Sequence, residues 1–576
     1  MSQIELPQRV SKDEQRSRLH ELRRARSIYR YDAETLPGFV IAAEVPVSER
    51  YSVEYHSAIV DSVASVGGSL AGGPSMPANQ RFATSSDFAA LFGTLPRPSQ
   101  LIDNYWRDWV FAEQRLAGPN PLVIERLTDL RALRKRMPLT DEHLQAALPM
   151  ASTDVCGGVE RAVDEGRLFI ADYAVLEGIP AGTWREGRKY LCAPIAIFTW
   201  RSTGIGDRGE LVPIAIQLHQ GSGEGPIYTP SHDRWRAAKT FLQVADANHH
   251  EMIGHLAHTH LAMEPFAIAT ARQLSIDHPI RRLLAPHLQF LLARNAEARM
   301  RLLRPDGPVD NLLAGTLAGS LEIARRGRMG WGIPSATATD GSLPAWGLVS
   351  SAFERDLVRR GVADAELLPH YPYRDDGRLV MGAVTDFVGA YVALTYSSER
   401  DLAEDQELQD WARELARPGP AGGGGVRQMP PEIASRDELT RVLSEVIFTS
   451  GPKHAATNFP QLEYMGFVPN MPLAAYHPPP GSEPSALGEA EELRLTLPPA
   501  GQATMQLQIM FQLASYRHDR LGDYAGFEFA PAAQPLIRAF QVALRDVDER
   551  IRARNARRRV PYSHLMPALI PNSTSV

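Results

Sequence analysis

The stretch from Trp235 to Pro279 places five of the chain's 17 histidines within twelve residues, between His249 and His260. The residues on both sides are apolar, which predicts a buried helix rather than a solvated, histidine-rich tract. Neutral imidazole is the commonest side-chain metal ligand, and a helix can present two imidazoles to one ion. A chain that buries this segment must therefore provide partners for several imidazoles at once.

The histidines of this stretch are spaced by five residues, at His250, His255 and His260. In a regular α-helix five residues turn a side chain roughly 140° beyond a full turn, so such a pair diverges. A π-type widening brings i and i+5 onto one face, and π-bulges are frequent at functional sites. The zinc-protease pattern H-E-x-x-H begins at His250 but fails, because residue 254 is Gly254. A lone H-x4-H pair is more often a core imidazole bonded to a carbonyl.

A second pair, His454 and Asn458, lies in the segment HAATNFPQ near the carboxyl end of the chain. Residues i and i+4 lie on one face of an α-helix, about one turn apart. Histidine and asparagine at this spacing are common in ordinary helices. The pair alone therefore does not indicate a site.

A longer pattern gives the histidines a context. HLAHTHLAMEPFAIATARQLSIDHPIRRLLAPH, residues 255–287, resembles the iron-binding segment of the lipoxygenases. The resemblance implies that His255 and His260 are the first two iron ligands, and that His250 is not a ligand. Glu251 stands where many members carry a glutamine that supports a ligand. The order and length of the match favour this interpretation over isolated core histidines.

Two later segments extend the resemblance. HAATNFPQ is similar to the lipoxygenase segment that supplies a third histidine and a weaker asparagine ligand, here His454 and Asn458, with Gln461 beside the channel. The final residues LIPNSTSV resemble a terminus whose main-chain carboxylate binds the iron, here that of Val576. Chain termini are usually frayed unless they are tied down. The resemblance implies the opposite for this one.

Three histidines, one carboxamide and one carboxylate form a nitrogen and oxygen ligand set. Such a set suits one non-haem iron ion, with manganese as the alternative and zinc poorly suited to redox chemistry. The resemblance implies a dioxygenase that converts polyunsaturated fatty acids of the linoleate or arachidonate type and O2 to conjugated-diene hydroperoxides. The resemblance further implies that hydrogen-atom abstraction from a cis,cis-1,4-pentadiene at a ferric hydroxide precedes O2 capture. The alternatives are a hydroperoxide isomerase with the same fold and a non-enzymatic lipid-binding protein.

Two positions concern how a substrate would lie in the channel that the resemblance implies. RNAEARMRLL resembles a lipoxygenase segment whose channel-lining Ala or Gly matches Ala298, and Ala there favours S products. Without the resemblance, Ala298 is a small residue at a helix contact. Many plant members carry arginine at the position of Met471, so the orientation of the substrate carboxylate stays open.

The composition is that of an ordinary globular protein, with 576 residues, 44% hydrophobic and 22% charged. The net charge of −6 gives no support for nucleic-acid binding. Two cysteines, Cys156 and Cys192, are too few for a disulfide framework. The first residues lack the apolar core of a secretory signal, and no long apolar run is present, so we expect a cytoplasmic protein. We also expect a monomer.

The resemblance implies a mainly α fold, a large lipoxygenase-like helical catalytic domain with a small β-sheet subdomain. The apolar runs between residues 168 and 218 predict that sheet. The lipoxygenase pattern becomes visible at Asp108, so we expect a catalytic domain over residues 96–576 and a helical or loop extension over residues 1–95. The extension lacks the alternating strands of a β-sandwich domain.

Within the extension, an arginine-rich amphipathic stretch precedes residue 31. We favour a helix docked on the catalytic domain, with peripheral contact to a membrane as the alternative. The glycine-containing segment Ser62–Pro77 predicts a loop.

Overall fold

The computed structural model describes residues 6–575 except 72–75, 149–156, 186, 203–208, 224, 331–346 and 482–486. The described residues form a mainly helical structure with a small sheet, which confirms the predicted fold class. The helices of the first half are α1 (Lys12–Ile28), α2 (Val53–Ala71), α3 (Ser85–Ala90), α4 (Ser99–Ile102), α5 (Asp108–Ala117), α6 (Leu130–Arg134), α7 (Asp141–Ala147), α8 (Gly158–Asp164), α9 (Trp235–His249), α10 (Leu261–Gln273), α11 (Pro279–Leu288) and α12 (Leu291–Arg301). The helices of the second half are α13 (Pro308–Leu312), α14 (Leu317–Met329), α15 (Phe353–Arg359), α16 (Pro372–Thr395), α17 (Glu399–Glu404), α18 (Gln406–Ala416), α19 (Arg436–Phe448), α20 (His454–Asn458), α21 (Pro460–Tyr464), α22 (Glu489–Thr496), α23 (Ala500–Ala514) and α24 (Gln534–Asn555).

The strands are β1 (Tyr31–Asp32), β2 (Ile41–Ala42), β3 (Glu125–Arg126), β4 (Leu168–Asp172), β5 (Thr183–Trp184), β6 (Gly187–Arg188), β7 (Ile195–Ser202), β8 (Gly209–Gln217) and β9 (Ile227–Tyr228). Five of them form one antiparallel sheet in the order β3-β4-β7-β8-β9. Along β4, Phe169 and Ala171 join the main core, whereas Leu168 and Ile170 join a smaller apolar cluster. Side chains alternate between the two faces of a strand, so the sheet separates these two cores.

Helices α9 and α10 run through the centre of the helical body and are joined by a π-helical segment, π1 (His250–His260). Nearly every residue of this continuous rod is buried, including Phe241, Phe266 and Ile268. It packs against α12, α14, α18 and α20. A helix that is apolar on all sides is stable only inside a large core. The prediction of a buried helix for this stretch is confirmed.

The amino-terminal helix α1 packs against α10, as expected of a docked amphipathic helix. Its buried residues include Leu22 and Arg18, whose guanidinium donates to both carboxylate oxygens of Glu407 at 2.8 and 3.1 Å. A fork-shaped pair of this kind fixes orientation as well as adding energy. These contacts join α1 to α18 as well as to α10.

The predicted loop over Ser62–Pro77 is wrong for its first part, because α2 continues to residue 71. Tyr55 and Val66 of this helix are fully buried, and α2 packs against α23. Gly67 and Gly68 face open space, where a Cβ would meet nothing. Tertiary packing therefore outweighs the cost of roughly 1 kcal/mol that each helical glycine carries.

Helix α16 is long and apolar enough to cross a membrane by length and composition alone. That observation is weak evidence for a span, because central helices of compact domains have the same composition. Its largest contacts are with α19 and α24, and these account for its apolar residues.

Candidate metal centre

The π register of π1 brings the five-residue spacing of the histidines onto one face. His255 and His260 both lie in π1, and their Nε2 atoms are 3.3 Å apart. A regular α-helix would have separated them, as the sequence spacing indicated. The local helix geometry therefore creates the first half of the cluster.

The third histidine comes from a second π-helical segment, π2 (Thr449–Lys453), which leads directly into α20. π2 contains Pro452, which cannot donate a backbone hydrogen bond inside a helix. His454 is the first residue of α20, and its Nε2 atom lies 3.1 Å from that of His260. Two widened helices thus meet at their histidines.

The three imidazoles form a buried group with convergent ligand atoms. One nitrogen from each of His255, His260 and His454 lies within 4.8 Å of the others. All three side chains are at least nine-tenths buried. Burial lowers the pKa of His255 to about 4 and holds the pKa of His260 and His454 well below the usual range. The rings are therefore neutral at pH 7 and can act as metal ligands.

The hydrogen bonds of Asn295 fix the tautomer of His260. The Asn295 Nδ2 atom donates to the His260 carbonyl at 3.0 Å and to Glu264 Oε2 at 2.7 Å. Its Oδ1 atom is therefore the acceptor facing His260 Nδ1 at 3.0 Å, so Nδ1 carries the proton. The lone pair of Nε2 then points into the histidine group. Second partners of this kind orient metal-binding histidines and raise their basicity.

Glu264 is in turn held by a cation and a backbone amide. Arg299 Nη1 donates to both of its carboxylate oxygens at 3.0 and 3.1 Å, and the Ala42 amide donates to Oε1 at 2.8 Å. This fully buried carboxylate is thus paired and hydrogen-bonded, as a buried charge must be. The support of His260 extends to α12 and to β2.

Glu251 and Gln461, predicted to lie near the ligands, both face His255. Glu251 Oε2 is 3.6 Å and Gln461 Nε2 is 3.5 Å from His255 Nδ1. Burial raises the pKa of Glu251 to about 8, so its neutral form dominates at pH 7. The structure therefore brings both residues to the outer side of one imidazole.

Asn458 is fully buried one turn after His454, on the same helix. Its Oδ1 atom accepts from Gln461 Nε2 at 2.9 Å, and its Nδ2 atom donates to the Leu513 carbonyl at 2.7 Å. The carboxamide is thus connected to His255 through Gln461. The hydrogen bond from Gln461 uses one lone pair of the Asn458 oxygen, and the second lone pair is available to bind a metal.

The carboxyl-terminal tail, residues 570–575, is buried rather than frayed. The Asn572 side chain donates to Asp519 Oδ2 at 2.8 Å and accepts from the Gly522 amide at 3.0 Å, and its carbonyl accepts from His287 Nδ1 at 2.9 Å. Ser573 Oγ donates to the Gln289 carbonyl at 2.9 Å. Val576, the predicted carboxylate ligand, lies outside the described residues.

His287 gives a prediction for acid stability. Its Nδ1 atom donates to Asn572, its Nε2 atom lies 3.0 Å from the Tyr524 hydroxyl, and burial lowers its pKa to about 4. An unfolded histidine has a pKa of about 6.5. The contribution of His287 is therefore complete above pH 6.5 and is lost as the pH falls toward 4, by roughly 3 kcal/mol. We expect the free energy of unfolding of metal-free His287→Gln protein to fall less steeply between pH 6.5 and 4 than that of metal-free wild type. Parallel pH curves would contradict this account.

The donor set fits a metal ion. Three neutral imidazoles point nitrogens at one another, and the proton of His260 is placed on the far side of its ring. His454 Nδ1 has no hydrogen-bond partner among the described residues, whereas its Nε2 faces the other imidazoles. A borderline cation accepts imidazole nitrogen and amide or carboxylate oxygen together. The residues present therefore suit iron or manganese.

An apolar cavity reaches the histidines. His255, His260 and Ala298 lie on its wall, and most of the rest is leucine, isoleucine, valine and methionine from α2, π1, α13 and α23 and from loop residues, including the two that follow α12. Two arginines, Arg294 and Arg301, also line it. Apolar walls with a few polar groups are typical of sites for small apolar ligands. Ala298, predicted to line a substrate channel, lies on the wall of this cavity.

The sequence did not indicate several residues that complete the site. Asn295 and Glu264 lie within segments that resemble the family, but neither had been singled out. Arg294 donates a hydrogen bond to the Ser575 carbonyl in the carboxyl-terminal tail. The spacing of neighbouring residues cannot predict these contacts, because each joins segments that are far apart in the chain.

Comparison with known proteins connects this geometry to a family. A family model described as lipoxygenase matches residues 92–564. The chain is 37% identical over 511 residues to the linoleate 9/13-lipoxygenase of Pseudomonas aeruginosa, covering 85% of this chain and 69% of that protein. It is 32% identical over 488 residues to the hydroperoxide isomerase ALOXE3 of Rattus norvegicus, covering 83% of this chain and 63% of that protein.

The fold has solved counterparts as well. The anaerobic crystal structure of the delta413-417:GS form of LOX in complex with arachidonate superposes with a TM-score of 0.89 at 28% sequence identity. That comparison covers 100% of this chain and 84% of the other. The similarity therefore extends over the whole chain.

Proposed function

The chain belongs to the lipoxygenase family, and on that basis we propose that it oxygenates polyunsaturated fatty acids containing a cis,cis-1,4-pentadiene to conjugated-diene hydroperoxides. One observation carries the proposal: the buried group of His255, His260 and His454 borders an apolar cavity. In the proposed reaction, this arrangement would place an aliphatic substrate beside a redox-active metal held by the histidines. The family assignment supports the same general chemistry.

We propose one non-haem iron ion as the cofactor, with manganese as the alternative. Its ligands in this proposal are His255, His260, His454, Asn458 and the carboxylate of Val576. The convergent nitrogens support the first three, and the buried carboxamide supports the fourth. Burial of the tail as far as Ser575 supports the fifth.

When bound, the metal supplies the one-electron chemistry that removes a hydrogen atom from the doubly allylic carbon. The chain's own residues do the rest. The neutral imidazoles keep their lone pairs available, and the hydrogen bond from His260 Nδ1 to Asn295 holds one ring in place. The apolar wall excludes water and aligns the acyl chain beside the histidines. The small side chain of Ala298 leaves room on that wall for O2 or for the acyl chain.

Oxygen uptake by iron-loaded protein given linoleate tests the proposal, with conjugated-diene absorbance followed in the same sample. Equal rates of uptake and diene formation support the dioxygenase. The similarity to a protein named hydroperoxide isomerase favours a second candidate, isomerisation of a fatty-acid hydroperoxide. Consumption of an added hydroperoxide without O2 uptake would identify that activity instead. Iron-loaded protein that is inert in both assays would support the lipid-binding alternative.

We propose an orientation for the substrate from the charges on the cavity wall. Arg294 is partly buried and bonded within the protein, whereas the Arg301 side chain is 74% exposed and is paired with Glu297 Oε1 at 3.0 Å. Glu297 keeps Arg294 as a second cationic partner. Arg301 is thus able to pair with a fatty-acid carboxylate at the open end of the cavity, with the methyl end inside. Met471 is not among the described residues that line the cavity.

Arg301→Gln is therefore expected to lower kcat/KM for linoleate about two- to fivefold, in line with roughly 0.5–1 kcal/mol for an exposed ion pair. The value for methyl linoleate should not change, because the ester carries no charge. Arg304→Gln, an exposed arginine outside the cavity wall, is the matched control. An equal loss with acid and ester would contradict this orientation.

We also propose that residues 96–576 form the catalytic domain and residues 1–95 extend it, which the family match from residue 92 supports. The oxygenated position, the lean toward S products at Ala298, the cytoplasmic location and the monomeric state stay predictions.

A further inference from the structure

The last described carbonyl of the chain is held by two side chains from distant segments. The Ser575 carbonyl accepts from Arg294 Nε at 3.0 Å and from the hydroxyl of Tyr55. Ser575 and Tyr55 each expose no more than 1% of their surface to solvent. Arg294 Nη2 also donates to the Tyr55 oxygen at 3.2 Å, so the three residues form a closed triangle of hydrogen bonds.

Arg294 makes this contact as a partly buried cation whose charge is compensated by a carboxylate. Its Nη1 atom donates to Glu297 Oε2 at 3.1 Å, and the same oxygen accepts from the Tyr51 hydroxyl at 2.8 Å. The Arg294 guanidinium also lies over the ring of Tyr51, with its Cζ atom 5.4 Å from the ring centroid. The three nitrogens of Arg294 are thus each assigned a partner, and the planar fork leaves its side chain little freedom.

Tyr55 belongs to α2, the helix whose next turns supply Ile59, Ser62 and Val63 to the cavity wall. Arg294 belongs to α12, which supplies Ala298 to the wall and Asn295 to His260. The tail contact therefore joins two walls of the cavity to the residue that precedes Val576.

We propose that Arg294 and Tyr55 form a clamp on the Ser575 carbonyl that positions the final residue of the chain at the metal centre. The proposal rests on the proposed function, in which the Val576 carboxylate binds the metal. The clamped carbonyl belongs to the planar peptide unit that joins Ser575 to that residue. Fixing the carbonyl therefore removes most of the rotational freedom of the chain end. Arg294 and Tyr55 are positioning residues, because they act through the tail.

The clamp is tested by the rate at which a chelator removes iron from the loaded protein, together with the EPR spectrum of the ferric form. Tyr55→Phe and Arg294→Met are each expected to speed iron removal about tenfold, the lower end of the 10–100-fold loss seen when an outer partner of a metal ligand is removed. The ferric spectrum should broaden, because the tail samples more positions. Glu297 keeps Arg301 and Tyr51 as partners in Arg294→Met, so no carboxylate is left without a partner.

Tyr391→Phe is the matched control. The Tyr391 hydroxyl is a buried group that donates to a backbone carbonyl, that of Pro279, at 3.0 Å, and it lies on α16. The same chemical deletion there should leave iron removal and the ferric spectrum at their wild-type values. Faster iron removal from this control would overturn the clamp, since any lost tyrosine hydrogen bond would then have the same effect.

Deletion of Val576 separates the clamp from the ligand assignment on which it rests. If the deletion speeds iron removal and the two clamp variants do not, the clamp is wrong while the terminal ligand stands. If the deletion leaves iron removal unchanged, the terminal ligand of the proposed function is wrong, and the clamp loses its role with it. Faster removal in the deletion and in both clamp variants supports the proposal.

Discussion

His454→Ala is expected to abolish both iron retention and linoleate-dependent oxygen uptake while leaving the chain folded. The substitution removes one of three convergent imidazoles from a buried site. Removing an outer partner of a metal ligand already costs 10–100-fold in affinity, so the loss of a ligand itself should cost more. Among the described residues, the His454 ring has one hydrogen-bond contact, to His260 of the same group, so the substitution removes this contact and some packing but no hydrogen bond to the rest of the protein.

Metal analysis after dialysis and the circular dichroism spectrum measure the two halves of this prediction. His258→Ala is the matched control, because His258 lies in the same π-helical segment but faces the Gly327 carbonyl at 3.1 Å. It should retain iron. Full iron occupancy in His454→Ala would remove His454 from the ligand set, and iron loss in both variants would indicate general destabilisation instead.

The histidine group shows how far sequence reasoning reaches. The resemblance identified His255, His260 and His454, and the structure brings them together. Spacing alone gave a conditional answer, because a five-residue step converges only in a π-helix. The sequence indicated that a π-helix was needed but could not show that one forms. Two helical segments about 200 residues apart must both widen where their histidines meet. The apolar runs of the small sheet were a simpler problem, because their strands carry a local signal.

Contacts between distant segments were out of reach. Asn295 supports His260 across 35 positions, and the Tyr55 contact with Ser575 spans 520 positions. No periodicity links such residues, and asparagine and tyrosine are common everywhere. The error at Ser62–Pro77 has the same origin, because local glycine content favoured a loop while packing of α2 on α23 favoured a helix. Local propensity is a weak prior when tertiary contacts decide.

Asn295→Leu is expected to weaken iron binding 10–100-fold, as measured by competition with a chelator of known affinity. The leucine fills similar space but offers no acceptor to His260 Nδ1. A buried ring nitrogen without a partner is costly, so the ring gains by moving its proton to Nε2, where the metal must bind. Glu264 keeps Arg299 and the Ala42 amide, which means that the substitution leaves no buried charge uncompensated.

Asn248→Leu distinguishes this effect from a general loss of stability. Asn248 is also fully buried and also makes three hydrogen bonds, to the Val244 and Leu473 carbonyls and from the Ala314 amide. Both variants should lose a similar amount of folding free energy, about 1–3 kcal/mol for each buried polar group left unpaired. Only Asn295→Leu should also lose metal affinity, because only Asn295 touches an imidazole of the histidine group. Equal loss of metal affinity in the two variants would mean that any destabilisation of the core releases the ion, and the tautomer argument would fail.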